Sequence, residues 1–228
     1  MTIKKIGICG AGTMGGGCGI AYLAAASGFE VVLYGDEQRF VDTAVRHLNG
    51  LFDRKISLQK MTAEDKAALL QRMTFTTDIE EFASVDLVLE TIYDDIEVKK
   101  NALERLDKIC RPEVIFASNC VNISITDMAA ITERSEKVLG LKFVNPPQVM
   151  RKVEVILGHH TSNETIIQAS QFILAMGKKP VLFGGEALQL STEGHEVLDI
   201  KTGQRKSLSQ YKSPYEYEGV YTEAKAIL

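Results

Sequence analysis

Three glycines near the amino terminus have the spacing of a loop that binds a dinucleotide. Gly10, Gly12 and Gly15 form a G-x-G-x-x-G pattern, with Thr13 and Met14 inside it. An apolar segment precedes the pattern and a segment of small residues follows it, which predicts a strand, a turn and a helix. Without side chains, the chain can turn sharply and bring backbone N–H groups close to a pyrophosphate, which the positive end of the helix also attracts. We therefore predict that these five residues bind the pyrophosphate; the alternative is a glycine-rich turn needed only for helix–sheet packing.

An acidic residue follows the second predicted strand, where the adenosine ribose of a dinucleotide usually meets a carboxylate. Strand 30–34 is followed by Gly35, so Asp36 comes one residue later than the usual acid. The nearest arginine is Arg39, and no arginine directly follows the strand to bind a 2′-phosphate. These features favour NAD over NADP and make Asp36 the candidate ribose ligand.

The composition excludes several classes of function. The chain has 228 residues, of which 45% are hydrophobic and 25% charged, with a net charge of −4. This balance gives no reason to expect nucleic acid or an anionic membrane as a partner. No apolar run approaches the length of a membrane span, and the amino-terminal residues lack the pattern of a signal peptide. The four cysteines show no metal-binding spacing and are typical of reduced thiols, so we expect a cytoplasmic protein without a metal site.

Strand and helix patterns alternate over most of the chain. We predict strands near 3–9, 30–34, 73–76, 86–90, 113–117, 138–143, 153–157 and 179–183, and helices near 18–27, 37–56, 63–72, 96–109, 124–131 and 162–176. Thr62 and Ser162 are suited to begin two of these helices, and Gly177 to end the second. The alternation predicts an α/β fold, a doubly wound and mostly parallel sheet with helices on both faces, of the Rossmann type.

The pattern changes after Phe183. We divide the chain into a dinucleotide-binding domain, 1–183, and a short atypical tail, 184–228, that packs on the domain or dimerises it. Thr202 and Gly203 could form a hairpin turn, so residues 195–207 could add strands to the sheet edge. The tail also holds four of the seven tyrosines, which suit either an interface or packing on the chain's own sheet.

From Lys4 to about Val181, the sequence resembles the NAD-binding domain of the 3-hydroxyacyl-CoA dehydrogenases. The matching segments include IGICGAGTMG at 6–15, FTTD at 75–78, DLVLE at 86–90, VKK at 98–100, ASN at 117–119, SIT at 124–126, GLKFVNP at 140–146 and VEV at 153–155. The resemblance implies NAD as cofactor and a 3-hydroxyacyl or 3-oxoacyl thioester as substrate. It also implies that Asp94 and Lys99 approach the ribose or nicotinamide half of the cofactor, and Asn119 the nicotinamide ribose.

The resemblance breaks at the catalytic groups of the family. There a histidine, held by a glutamate, acts as general base, and a serine and an asparagine assist. The glutamate position holds Glu154, but Lys142 occupies the histidine position and Val121 the serine position. The segment that carries the asparagine and the family's helical carboxyl-terminal domain have no counterpart in this sequence. Lys142, Glu154 and Asn119 therefore form the candidate catalytic set.

Lys142 permits two interpretations. Lysine is an ammonium at neutral pH, and a neighbouring carboxylate favours that form. Lys142 could therefore donate a proton in the reduction direction, or it could form an ion pair with Glu154 that replaces a lost His–Glu pair. Two functions follow: an NAD-dependent oxidoreductase of fatty acid metabolism with altered catalytic groups, or a catalytically silent NAD-binding, scaffold or regulatory protein. Since the helical domain is missing, we expect a homodimer in either case.

Other polar residues give weaker signals. His159 and His160 follow a predicted strand, and we expect them to be exposed turn residues. Cys120 follows Asn119 and is either a reactive thiol or a buried structural cysteine. Glu90 ends a predicted strand and has no recognisable acid–base partner in the sequence.

Overall fold

A computed structural model describes residues 3–12, 19–93, 95–119, 123–183, 188–190, 196–199 and 205–207. Its strands are β1 (Lys5–Cys9), β2 (Glu30–Tyr34), β3 (Met73–Thr76), β4 (Leu87–Glu90), β5 (Ile115–Ser118), β6 (Val138–Phe143), β7 (Lys152–Leu157), β8 (Lys179–Phe183), β9 (Leu188–Leu190), β10 (Glu196–Asp199) and β11 (Arg205–Ser207). Its helices are α1 (Ile20–Ala26), α2 (Gln38–Ser57), α3 (Ala63–Gln71), α4 (Ile96–Ile109), α5 (Ile125–Ala129) and α6 (Asn163–Ala175). The eight strands and six helices predicted up to Phe183 are all confirmed.

Local side-chain contacts explain where several helices begin and end. The Thr62 hydroxyl accepts a hydrogen bond from the Asp65 backbone N–H, and the Asp65 carboxylate accepts one from the Thr62 backbone N–H. Ser162 caps α6 by accepting from the Thr165 N–H, and Gly177 follows that helix with a positive φ of 69°. The Thr62 and Ser162 caps satisfy backbone N–H groups that have no partner within the first turn of a helix. Both residues were predicted from the sequence to begin these helices.

The described strands form one eleven-stranded sheet in the order β11-β10-β9-β8-β7-β6-β5-β4-β1-β2-β3. The six strands from β3 to β6 are mutually parallel, with the order 3-2-1-4-5-6 of a doubly wound dinucleotide fold. Strand β7 is antiparallel to β6 and parallel to β8. The chain order reverses between β1 and β4, so the ligand site of such a fold lies at the carboxyl ends of these strands.

The sheet separates two hydrophobic cores. One core lies under α1, α2 and α6, and the other under α4 and α5. Helices therefore cover both faces, as the alternating pattern predicts. No helix among the described ranges combines the length and apolar character needed to cross a bilayer.

Three strands of the tail extend the sheet. Strand β9 pairs antiparallel with β8, β10 with β9, and β11 with β10. The prediction that residues 195–207 add a strand pair is therefore confirmed for 196–199 and 205–207. The proposed turn residues Thr202 and Gly203 and the four tail tyrosines lie outside the described residues.

Candidate functional site

Gly10 is required by the turn after β1. Its φ is +123°, a conformation that side chains rarely tolerate. A Cβ built at Gly10 would lie 2.7 Å from Thr91 Oγ1 and 2.9 Å from the Thr91 carbonyl oxygen. The Gly10 N–H donates to the Tyr34 carbonyl, and the Thr91 hydroxyl donates to the Gly10 carbonyl. Gly10 therefore joins the ends of β1, β2 and β4, and internal packing alone explains this glycine.

Gly12 has no such internal reason. It is exposed, and a Cβ built there meets no atom of the described residues within 4 Å. Gly12 follows β1 at the carboxyl edge, beside the chain reversal between β1 and β4, and no described atom occupies the space that a side chain there would fill. A pyrophosphate binds where it can come close to the backbone N–H groups, and the absence of a side chain at Gly12 allows this. The described part of the loop therefore fits a dinucleotide. Thr13, Met14 and Gly15 lie outside the described residues.

Asp36 is exposed at the carboxyl end of β2. Gly35 precedes it, and a Cβ on Gly35 would lie 3.1 Å from Val41 and 3.2 Å from Ala11. The missing side chain lets the glycine loop and α2 approach each other. Arg39 forms an ion pair with Glu37 at 2.6 Å instead of standing alone at the strand end. Asp94, the other acid predicted near the ribose, lies outside the described residues.

Glu90 has a partner that the sequence did not reveal. Its Oε1 lies 2.7 Å from the Lys99 ammonium and accepts the Ile92 N–H, and its Oε2 accepts the Ser118 hydroxyl at 2.6 Å. The side chains of Glu90 and Lys99 are 0% and 1% exposed. The sequence identified no acid–base partner for Glu90, because the end of β4 and the first turn of α4 meet only in the folded chain. Lys99, predicted to approach the cofactor, also donates to the Ile92 carbonyl in this network.

Asn119 connects the ends of three neighbouring strands. It follows β5, its N–H donates to the Glu90 carbonyl, and its side-chain Oδ1 accepts the Phe143 N–H at 2.8 Å. The amide oxygen is therefore engaged, which leaves the amide NH₂ as the end that can donate to a ligand. The structure thus brings Asn119 to the edge where β6 presents Lys142.

Lys142 and Glu154 are direct neighbours on β6 and β7. The Lys142 Nζ lies 3.4 Å from Glu154 Oε2, and the Lys152 Nζ lies 2.9 Å from Glu154 Oε1. Burial raises the pKa of Glu154, but the hydrogen bond from Lys152 and the charge of Lys142 outweigh it and hold this pKa below its usual value. Glu154 is therefore a carboxylate between two ammonium groups. Sequence reasoning missed Lys152, although its position two residues before Glu154 places it on the same strand face.

The described thiols are inert. Cys9 and Cys110 are buried and free, and burial, as the largest cause, raises the pKa of each to about 12. A thiol with such a pKa stays protonated at neutral pH and is a poor nucleophile. Cys120 and Val121 lie outside the described residues.

The two adjacent histidines do not form a chemical site in the described structure. His159 and His160 are exposed and meet edge to face, with ring centroids 4.9 Å apart. The Thr161 N–H donates to the Gly158 carbonyl and closes a turn around the two histidines, and the His159 N–H donates to the Thr126 hydroxyl. Within the described ranges, no group of three His, Cys, Asp or Glu side chains could hold a metal ion.

The strand order, the open space at Gly12 and the acids at the carboxyl edge define a dinucleotide-binding domain of the Rossmann type. Residues 5–187 match the family described as "3-hydroxyacyl-CoA dehydrogenase, NAD binding domain", and the chain belongs to this family. NAD is accordingly its cofactor.

Curated proteins and solved structures agree with this assignment. A 3-hydroxybutyryl-CoA dehydrogenase of Bradyrhizobium diazoefficiens is 37% identical over 177 residues, which are 78% of this chain and 60% of the relative. A 3-hydroxyadipyl-CoA dehydrogenase of Escherichia coli is 35% identical and is covered over 38% of its length. The crystal structure of an (S)-3-hydroxybutyryl-CoA dehydrogenase from Ralstonia eutropha is 36% identical, with a TM-score of 0.76, over 79% of this chain and 63% of that chain. The protein thus spans less than two thirds of these relatives.

Proposed function

We propose that the protein is an NAD-dependent oxidoreductase that reduces a 3-oxoacyl thioester or a related oxo substrate, with Lys142 as the proton donor. One observation carries this proposal: the Lys142 ammonium lies on the carboxyl edge of β6, 3.4 Å from Glu154. Its side chain is 38% exposed, so a substrate can reach it.

The chemistry of reduction suits a lysine held as an ammonium. When bound, NADH supplies the hydride that the carbonyl carbon takes up. The Lys142 ammonium donates a proton to the carbonyl oxygen, so that a hydroxyl forms and the amine is left to recover a proton from solvent. The ion pair with Glu154, at 3.4 Å, holds the ammonium in position for this transfer. A positioned proton donor contributes about 10²- to 10⁴-fold in rate.

Asn119 has a positioning role in this proposal. Its amide oxygen accepts the Phe143 N–H, which fixes the orientation of the amide. The NH₂ group can then hydrogen-bond the nicotinamide ribose or the substrate oxygen. Asp36 and the backbone at Gly10 and Gly12 would hold the other half of the dinucleotide.

A second candidate function is that of a catalytically silent NAD-binding protein with a scaffold or regulatory role. The observation that favours it is the pairing of Glu154 with both Lys142 and Lys152. Each carboxylate oxygen already has a cationic partner, so the three side chains form a complete ion-pair group without any substrate.

Turnover of NADH with acetoacetyl-CoA separates the two functions. We expect wild-type activity, a loss of about 10²-fold or more in Lys142→Ala, and no change in Lys108→Ala, which removes an exposed lysine of α4. Calorimetric titration with NADH accompanies each assay. Clear NADH binding without turnover in the wild type would contradict the oxidoreductase and favour the silent protein.

We also propose that the protein is a homodimer. Val149 and Met150, just before β7 at the site edge, are 69% and 38% exposed, and both are apolar. Strand β11 ends the described sheet and could pair with a second copy. Light scattering over a dilution series of the full chain, and of a chain truncated after Phe183, tests this. Monomers of equal stability in both cases would contradict the proposal.

We propose the cytoplasm as its location. The support is chemical, because the described cysteines Cys9 and Cys110 are free thiols and reduced thiols are typical of that compartment. Fractionation of cells that produce the protein would test this, and recovery outside the cytosolic fraction would contradict it.

A further inference from the structure

Glu90 lies where the two halves of the dinucleotide fold meet. It ends β4, and the register places it between Cys9 of β1 and Ser118 of β5. In a fold of this strand order, the half made of β1 to β3 holds the adenosine nucleotide, and the half made of β4 to β6 holds the second nucleotide. Glu90 therefore borders the part of the site that receives the nicotinamide.

Both oxygens of the Glu90 carboxylate are engaged. Its Oε1 accepts from the Lys99 ammonium at 2.7 Å and from the Ile92 N–H. Its Oε2 accepts from the Ser118 hydroxyl at 2.6 Å. The same Lys99 ammonium donates to the Ile92 carbonyl at 2.8 Å. One carboxylate thus connects the first turn of α4, the segment after β4 and the end of β5.

The segment that follows β4, residues 91–93, is held at two successive positions; we call it the β4 loop. The Thr91 hydroxyl donates to the Gly10 carbonyl at 2.9 Å, which ties the loop to the glycine turn. The ion pair then takes both backbone polar groups of Ile92. Tyr93, the next residue, is 70% exposed. The β4 loop therefore reaches the surface of the site with its backbone fixed from inside the protein.

Asn119 is held beside the same carboxylate. Its N–H donates to the Glu90 carbonyl at 2.9 Å, and the preceding residue, Ser118, donates to the Glu90 side chain. Its amide oxygen accepts the Phe143 N–H. The Asn119 NH₂ group, which can meet a ligand, is thus presented by a residue that Glu90 fixes through both its backbone and its side chain.

Stability alone does not explain this buried ion pair. The side chains of Glu90 and Lys99 are 0% and 1% exposed, so the carboxylate does not reach a cofactor. Apolar residues of similar volume usually stabilise a protein as well as a buried ion pair does. What the carboxylate supplies, and an apolar side chain would not, is a fixed orientation for the N–H and O–H groups that point at it.

We infer that Glu90 is a positioning residue for the nicotinamide half of the cofactor. It fixes the β4 loop through Ile92, and Asn119 through Ser118, before NAD binds. The inference concerns cofactor binding, and it is independent of the proton transfer proposed for Lys142.

Binding of two nucleotides to the full chain tests the inference. NADH fills both halves of the site, whereas ADP fills the adenosine and pyrophosphate half alone. Glu90→Gln keeps the size of the side chain and removes its charge. Ser118→Ala removes one hydrogen bond to the carboxylate and leaves the ion pair in place. The matched control is Glu104→Gln, which changes an exposed glutamate of α4.

Calorimetric titration should separate the two nucleotides. We expect Glu90→Gln to weaken NADH binding by about tenfold or more, the loss of one hydrogen bond to a charged group. Binding of ADP should equal that of wild type. Ser118→Ala should weaken NADH binding by about threefold, and it decides the question alone if Glu90→Gln does not fold. The fluorescence of bound NADH, which reports the surroundings of the nicotinamide, should change in both variants and not in the control.

Unchanged NADH binding in the folded variants would overturn the inference. Equal losses of NADH and ADP binding would also overturn it, because a general disturbance of the fold would then explain both. If NADH binding shows the expected losses but the wild type does not oxidise NADH, the inference stands and the oxidoreductase proposal fails.

Discussion

Alanine substitutions at two glycines of one loop should affect different properties: Gly10→Ala should lower stability, and Gly12→Ala should weaken cofactor binding. In Gly10→Ala, the new Cβ would lie 2.7–2.9 Å from Thr91 atoms, at a φ of +123°. The backbone conformation costs an L residue about 1–3 kcal/mol, and overpacking about 1–3 kcal/mol more. We therefore expect the free energy of unfolding to fall by about 3 kcal/mol or more.

Gly12→Ala should leave stability nearly unchanged. The added Cβ meets no described atom within 4 Å, and a surface substitution of this kind usually changes the free energy of unfolding by less than about 0.5 kcal/mol. The same methyl group occupies the space that a pyrophosphate needs. Loss of one hydrogen bond to a charged group, about 1.5–3 kcal/mol, predicts at least about tenfold weaker NAD binding.

Urea denaturation measures the first effect, and calorimetric titration with NAD measures the second. Each variant is the control for the other, because the substitution is the same and the positions are two residues apart. The reasoning would be refuted if Gly12→Ala bound NAD as tightly as wild type, or if Gly10→Ala were as stable as Gly12→Ala.

Three further substitutions test the polar groups of the site. Glu90→Ala leaves the buried Lys99 ammonium without this partner. Urea denaturation should therefore show that the free energy of unfolding falls by about 3–5 kcal/mol. A decrease no larger than that of Glu30→Ala, which removes an exposed glutamate, would contradict this. Because the folded-state pKa of Glu154 is lowered, its stabilising contribution is complete above the unfolded value of about 4.5 and is lost as the pH falls below it. The stability difference between wild type and Glu154→Gln should therefore shrink between about pH 7 and about pH 3, an interval of about four tenfold steps in proton concentration that spans the unfolded value; a constant difference would count against it. Lys142→His places an imidazole beside Glu154, so oxidation of 3-hydroxybutyryl-CoA should increase by about tenfold or more; no gain in the rate of NAD reduction would show that the general base is not the missing element.

The elements of the fold were predictable because their signals are local. Helix α4 and strand β2 have the predicted bounds, 96–109 and 30–34. Asp95 begins α4 by accepting the Glu97 and Val98 N–H groups, a contact that spans three residues. Hydrophobic periodicity and capping act over one or two turns of chain, so they can be recognised before folding.

The pairing at the candidate site was only partly predictable. The neighbourhood of Lys142 and Glu154 followed from the family resemblance, and the register of β6 and β7 confirms it. Lys152 was overlooked, although strand alternation places it beside Glu154. The juxtaposition of Lys152 with Lys179 depends on the parallel pairing of β7 and β8 across a crossover helix. No local pattern encodes that register.

The sequence by itself determined the alternating strands and helices, the glycine loop after β1 and the family to which the domain belongs. The tertiary structure alone decided that a side chain at Gly10 would collide with Thr91, while one at Gly12 would meet no atom of the described residues. It also decided that Glu90 and Lys99 form a buried pair, and that lysines from three strands share one edge. The physical reason is that charge, burial and close approach are properties of atoms brought together from distant parts of the chain, and residue order does not specify those distances.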